Sequence, residues 1–191
     1  MMRGRRTGAV VGGMMLAVWL GIGSATQVQA CEGAQVANAA GAAFLDAAKQ
    51  GSAAAFSQAL SAYADMGQIT IFALGRYQNQ LHPNRRAELT NLTARYVSTT
   101  LADFAKKFRG SGIEAIRCRP GEVISRFSRG SRAERITWRL NGNRITDVHV
   151  QNVWLGQLLR DNFTSVIQRG GGSIDALFYH LGARTGAGIN R

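Results

Sequence analysis

Residues 136–163 read ITWRLNGNRITDVHVQNVWLGQLLRDNF. Ile136, Trp138 and Leu140 alternate with Thr137 and Arg139, the period-2 pattern of a half-buried strand. Asn141-Gly142-Asn143 supplies residues that accept positive φ in a tight turn. Ile145 to Val153 is rich in β-branched residues and can pair back onto the first strand. Beyond it, Trp154, Leu155, Leu158, Leu159, Phe163, Val166 and Ile167 recur at helical spacing. The stretch predicts a hairpin that runs straight into a helix, with an apolar face on each. A fold that closes around an apolar ligand has this pattern, and so does an ordinary core.

Towards the C-terminus, the helix from about Trp154 stops at Gly170-Gly171-Gly172. Ser173 then caps a short helix holding Ile174, Leu177, Phe178 and Leu181, and Gly182 to Arg191 reads as a tail. Towards the N-terminus, period-2 segments at Ile113–Cys118 and Gly121–Arg129 add two strands ahead of Arg132–Leu140. Four strands joined by Gly- and Asn-bearing turns make an antiparallel meander. Before them, Pro83 opens the longest helix, with Leu89, Leu92, Tyr96, Val97, Leu101, Phe104 and Phe108 at i+3/i+4 spacing. From Pro83 to Phe108 it predicts a rod of roughly 37 Å. Asp65 to Asn79 carries Ile69, Phe72, Ala73 and Tyr77 on one helical face, and Gly67 and Gly75 call for close packing there. Glu32 to Ala64 predicts one or two Ala-rich helices broken at Gly51-Ser52, with the low-complexity run Ala34 to Ala43 loosely ordered. Helices, then strands, then helices make the fold class α+β: an antiparallel twisted sheet of about four strands packed against a helical layer that includes one long helix.

The first thirty residues stand apart. Arg3, Arg5 and Arg6 form a basic start, Val10 to Ile22 an apolar segment, and Val28-Gln29-Ala30 a small-residue cleavage site. The apolar run is shorter than the ~20 residues a bilayer span needs. We read a signal peptide over 1–30 that is cleaved after Ala30, which places the protein in the periplasm. The compartment is oxidising, and the sequence leaves open whether its two cysteines, Cys31 and Cys118, pair or never meet. Cys31 would be the first mature residue, so lipoprotein anchoring there is a second use for it. Gln29, where such signals want a small residue, speaks against that. Losing three arginines and no acid lowers the net charge from +12 to +9, which favours anionic partners. Export makes nucleic acid the least fitting of these, and the aromatics do not interleave with the basic residues as single-strand binders require.

Catalytic apparatus is missing from the pattern. His82, His149 and His180 show no ligand spacing, and no CxxC, HExxH, G-x-S-x-G or phosphate-binding glycine loop occurs. The reading is therefore non-enzymatic, with no catalytic residue, metal or cofactor. Asp147, in an otherwise apolar strand, reads as a hydrogen-bonded strand residue ahead of a general base in a cavity. Arg117, Arg119, Arg126, Arg129, Arg132, Arg135, Arg139 and Arg144 form a basic zone over the sheet. It is either a docking face for an anionic membrane or partner, or a solvated surface.

Two segments carry a family resemblance. Leu74-Gly75-Arg76-Tyr77, then Pro83 and Arg86 opening a long helix, resembles the L-G-R-Y and T-P-x-Q-R pattern of MlaC-like proteins, with His82 in place of Thr. Asp147, Val148, Val153, Leu155, Arg160, Phe163, Gly172, Ile174, Asp175 and Leu177 fall in register with that family's ending. These are periplasmic phospholipid-binding auxiliary components of ABC lipid transporters, the toluene-tolerance proteins included, with a branch associated with hopanoids. The resemblance implies a carrier that shuttles phospholipid or a hopanoid-type lipid between an MCE-type inner-membrane ABC complex and an outer-membrane lipoprotein/porin complex. It implies a lipid-binding domain over 65–182, preceded by the helical segment 31–64 and followed by a tail at 183–191, with 31–182 one folded unit. The expected cavity lining is Phe72, Tyr96, Phe104, Leu158 and Phe163 from helices and Trp138, Val148, Val150, Val153 and Trp154 from the sheet and its junction. Trp138 and Trp154 are expected to flank one apolar cleft under the Pro83–Phe108 helix. Asn143, Asn152 and Trp154 stand where the family commonly has Trp, Gly and Ser. A bulky Trp154 would narrow that cleft, and an adaptor subunit that has lost its cavity is the alternative.

Overall fold

The computed structural model describes residues 31–108, 110 and 112–186. The leader read over 1–30 and the last residues of the tail lie outside the described residues. The helices α1 (Glu32–Gln50), α2 (Ala53–Tyr63), α3 (Met66–Leu74) and α4 (Arg86–Asp103) come first. The strands β1 (Gly112–Arg119), β2 (Glu122–Arg129), β3 (Arg132–Asn141), β4 (Arg144–Val150) and β5 (Val153–Trp154) follow, then α5 (Leu155–Arg169) and α6 (Asp175–Thr185). The strands form one antiparallel sheet in the order β1-β2-β3-β4-β5, so the fold is α+β.

Local chemistry explains the breaks. Gly51 takes φ 65° after α1, and the Ser52 hydroxyl accepts the Ala55 amide to start α2. The run Ala34 to Ala43, expected to be loose, is ordered helix. Ala34, Ala37 and Ala40 are buried against the sheet, and a Cβ on Gly41 would stand 2.8 Å from Ile113. Small side chains let α1 lie unusually close to the strands. Cys31, just before α1, is joined to Cys118 of β1 by a disulfide across 87 residues. The sulfur in this bond is the one a thioether-linked lipid anchor would use, so the two fates of Cys31 exclude each other.

Other boundaries depart from the sequence pattern. The helix expected over Asp65–Asn79 ends at Leu74, because Gly75 turns the backbone to φ 52° and a 3₁₀ turn, Gly75–Gln80, follows. Within α3, Phe72 faces outward, 39% exposed, while Thr70, Ala73 and Leu74 are buried. The long helix is interrupted too. α4 stops at Asp103, and a 3₁₀ turn, Ala105–Phe108, brings Ala105 into the core, so α4 is about 27 Å long. The strand expected over Ile145–Val153 is split by Gln151 (φ 50°) and Asn152 (φ 65°), a two-residue left-handed turn that creates a short fifth strand. Gly182, read as the start of the tail, is buried inside α6.

That turn fixes which way each side chain points. Cross-strand partners share a face, so Ile136, Trp138, Val148, Val150 and Val153 lie on one side of the sheet. Thr137, Arg139, Asp147, His149 and Trp154 lie on the other. The inner face packs on α1, which covers β1 and β2. The buried apolar residues do not form one core. They fall into a sheet cluster, a helical cluster from α3 to α6, and two small clusters around Phe56 and Leu60, where a domain of this size normally has one contiguous core.

Reducing the disulfide, or a Cys118→Ser variant, frees α1 from the sheet edge. By loop-closure entropy it should destabilise the protein by about 2–5 kcal/mol, read as a lower midpoint in urea unfolding.

Candidate functional site: a seam between sheet and helices

The seam between the clusters is lined by apolar side chains that are only half buried. Phe44 of α1 packs against three of the four clusters and is still partly exposed. Tyr63 of α2, Ile69 of α3 and Val97 and Leu101 of α4 are partly buried around it. On the sheet side of Phe44, the inner sheet face opens progressively. Trp138 is 3% exposed, Val148 and Val150 are intermediate, and Val153 is 42% exposed. Helical spacing carries the other wall the same way, from half-buried Val97 and Leu101 to Phe104 at 46%. On the strip of α4 between Leu89 and Val97, Thr93 has a buried hydroxyl without a hydrogen-bond partner among the described residues.

The ten residues expected to line a cavity are distributed over several surroundings. Val148, Val150 and Val153 form the sheet wall of the seam, Trp138 its buried base, and Phe104 the end of its helical wall. The Trp138 indole is fully engaged, donating to Ser125 Oγ at 2.9 Å. Tyr96 and Phe163 belong to the helical cluster. Phe72 and Leu158 are exposed, Phe72 beneath the Arg160 guanidinium at 3.9 Å.

Trp154 is not on the seam. It lies on the outer sheet face, stacked under the Arg139 guanidinium at 3.7 Å and beside the His149 ring at 4.9 Å. The expectation that Trp138 and Trp154 flank one cleft is overturned, because the turn at Gln151-Asn152 puts them on opposite faces. Phe44, Tyr63, Ile69, Val97 and Leu101 join the site only through packing. Ile69, Val97 and Leu101 sat in helical patterns of the sequence and Phe44 and Tyr63 in its Ala-rich segment, with nothing to separate seam from core.

Asp147 is buried and engaged. Its carboxylate accepts the Val148 and Gly156 amides, each at 2.8 Å, and faces Arg139 at 3.7 Å. Gly156 is in the first turn of α5, where Trp154, at the N-cap, offers no side-chain acceptor. Asp147 therefore caps α5 from the neighbouring strand. Gly156 must be small, since a Cβ would meet the carboxylate at 3.1 Å. Among the described residues no cluster of three or more His, Cys, Asp or Glu could hold a metal.

Of the basic zone, Arg117, Arg119, Arg126, Arg135 and Arg139 project from the outer face by register. Arg144 instead donates to the Ser61 and Ala62 carbonyls at the end of α2. Arg129 and Arg132 flank the β2–β3 turn.

Two concavities open away from the seam. One, of about 360 Å³, lies beside the disulfide and the β1–β2 turn. The other, of about 160 Å³, is lined by Tyr96, Thr99, Thr100, Asp103 and Arg184. The His180 ring stands 6.2 Å from Tyr96. Burial first, then the charges of Arg184 and Arg169, hold His180 below its ordinary 6.5.

The sequence matches the MlaC protein family over residues 37–183, most of the chain, and the chain belongs to that family. No curated protein matches it. Among solved structures it is similar to the phospholipid-binding protein from Ralstonia solanacearum, determined in complex with a phospholipid. The TM-score is 0.68 at 18% identity, over 82% of this chain and 98% of that one, which shows a shared fold.

Two outcomes follow. Asp147→Ala leaves two amides without their acceptor and should cost about 2 kcal/mol in urea unfolding, with Asp147→Asn losing less because its amide oxygen still accepts. His180 binds its proton more weakly folded than unfolded. Its contribution to stability is fully present above about pH 6.5 and is lost as pH falls below that, so His180→Asn should flatten the fall in melting temperature between roughly pH 7 and 5.5.

Proposed function

We propose that the protein is a non-enzymatic, periplasmic lipid-binding carrier. It shuttles phospholipid, or a hopanoid-type lipid, between an inner-membrane MCE-type ABC complex and an outer-membrane lipoprotein/porin complex. The observation that carries this reading is the divided core, with Phe44, Val97, Leu101, Val148 and Val150 half buried where one continuous core would hide them. Membership of the MlaC family supports it, as does the phospholipid bound to the Ralstonia solanacearum protein of the same fold.

The work of such a carrier is physical. Moving an acyl chain from a bilayer into a dry seam is close to neutral, whereas exposing it to water costs about 0.8 kcal/mol per methylene. The seam would take the chains and leave the head group towards solvent, where polar contacts are cheap. The adaptor alternative rested on Trp154 filling the cleft, and Trp154 sits on the outer face. Asp147, the candidate base for an enzyme, is occupied in capping α5.

Native mass spectrometry of protein purified without detergent should show a co-purified lipid. Val97→Glu and Leu101→Glu, which place a carboxylate against the chains, should each lower lipid occupancy more than tenfold while the fold persists. A protein that arrives empty and extracts no lipid from vesicles would sink the carrier reading.

A further inference from the structure

Both walls of the seam become more exposed towards the same end of the molecule. On the sheet, Val150 pairs with Val153 beside the Gln151-Asn152 turn. On the helical side, Val97, Leu101 and Phe104 follow one another at i, i+4 and i+7. The two walls are tied together there. Arg129, at the end of β2, donates from Nη1 to the Lys107 carbonyl at 3.2 Å, and the Gln151 amide donates to Glu134 Oε2 of β3 at 3.1 Å. The break of α4 at Phe104 shapes this tip. Ala105 turns inward, and the Phe104 ring, 46% exposed, stands at the surface.

Positive charge surrounds that ring. The Lys107 ammonium lies 4.8 Å from the Phe104 ring centre, Lys106 is its exposed neighbour, and Arg129 and Arg132 flank the adjacent β2–β3 turn. Asp103 and Glu134 are the acids nearby, and Glu134 faces Arg129 at 3.9 Å. We propose that this tip, Phe104 with Lys106, Lys107, Arg129 and Arg132, docks the protein on an anionic lipid bilayer and presents the open end of the seam to it.

The chemistry selects a bilayer over a protein. One projecting aromatic among surface cations suits the interface of a membrane, where the ring enters the acyl boundary and the cations meet head groups. The tip is one helical turn and one hairpin end. A stable protein interface needs about 800 Å² from each partner and a buried cluster of anchors. The proposal rests on the carrier reading for the seam to which the tip leads; docking itself stands on the tip alone.

The test is co-sedimentation of the full mature chain with vesicles of phosphatidylglycerol and phosphatidylcholine, against vesicles of phosphatidylcholine alone. Binding should need the anionic lipid and weaken with salt. Lys106→Gln and Lys107→Gln should each weaken it roughly fivefold. Phe104→Ala should weaken it as well, and Phe104→Trp should retain it. Native mass spectrometry on the two lysine variants separates docking from cargo: their lipid occupancy should stay unchanged. Equal binding to both vesicle types, or tip variants that bind like the parent, would overturn the proposal. So would a Phe104→Ala protein that keeps its vesicle binding and loses its lipid. Indifference to vesicles with retention on immobilised polyglutamate would assign the tip to an acidic protein instead.

Discussion

The close seating of α1 on the sheet is the constraint from which the rest follows. Ala34, Ala37, Ala40 and Gly41 bring the helix down onto β1 and β2, and the Cys31–Cys118 bond holds its first residues there. A helix so close to two strands cannot also cover the far half of the sheet. The inner face of β4 and β5 is left to the helical layer, which has a core of its own. Two cores that do not merge leave an apolar margin, and Phe44 joins the sheet cluster to the two small clusters around Phe56 and Leu60. A larger residue at Gly41 would lift α1 from Ile113 and disturb the sheet side of that margin.

The junction from β4 to α5 shows a second economy. Gln151 and Asn152 turn the chain in two residues with positive φ, which costs backbone energy that Asn bears better than Gln. The return strand is only Val153-Trp154, so α5 begins without room for a cap of its own. Asp147, one strand away, supplies the missing acceptor, and Arg139 balances its charge. A buried acid in an apolar strand thus has a structural purpose. The same turn places Val153 on the seam and Trp154 outside it. One residue of register separates a side chain that faces the proposed ligand from one that stacks under an arginine.

The proposed function needs no reactive group, only a choice of surroundings for acyl chains. What distinguishes this architecture from an ordinary core is incomplete burial. Half-exposed Val and Leu side chains lose little when a lipid chain covers them and gain contacts they otherwise lack. The outer face, with its arginines, and the tip around Phe104 offer charge, where the seam offers apolar side chains.

Much of the architecture was legible in the chain. Alternation at Ile136–Leu140, the Gly and Asn turns, Gly51-Ser52 and the i+3/i+4 rhythm after Pro83 report local preferences, and local preferences need no partner. The L-G-R-Y segment and the ending from Asp147 to Leu177 pointed to the family by resemblance. Boundaries set by packing were not legible. α4 reads as continuous through Phe108, yet it stops at Asp103 and a 3₁₀ turn holds Ala105 in the core. Phe72 falls on an apolar stripe in the sequence and faces solvent because the buried face of α3 runs through Met66, Thr70, Ala73 and Leu74. The site divided in the same way. The sequence by itself determined which residues are apolar, which segments are strands and which are helices. Only the tertiary structure decided that Phe44 joins the cluster of Val148 and Val150 to that of Val97 and Leu101, that Trp138 is core, and that Trp154 is outside. Periodicity marks a buried face within one element, and it carries no information about which other element, or which ligand, completes the burial.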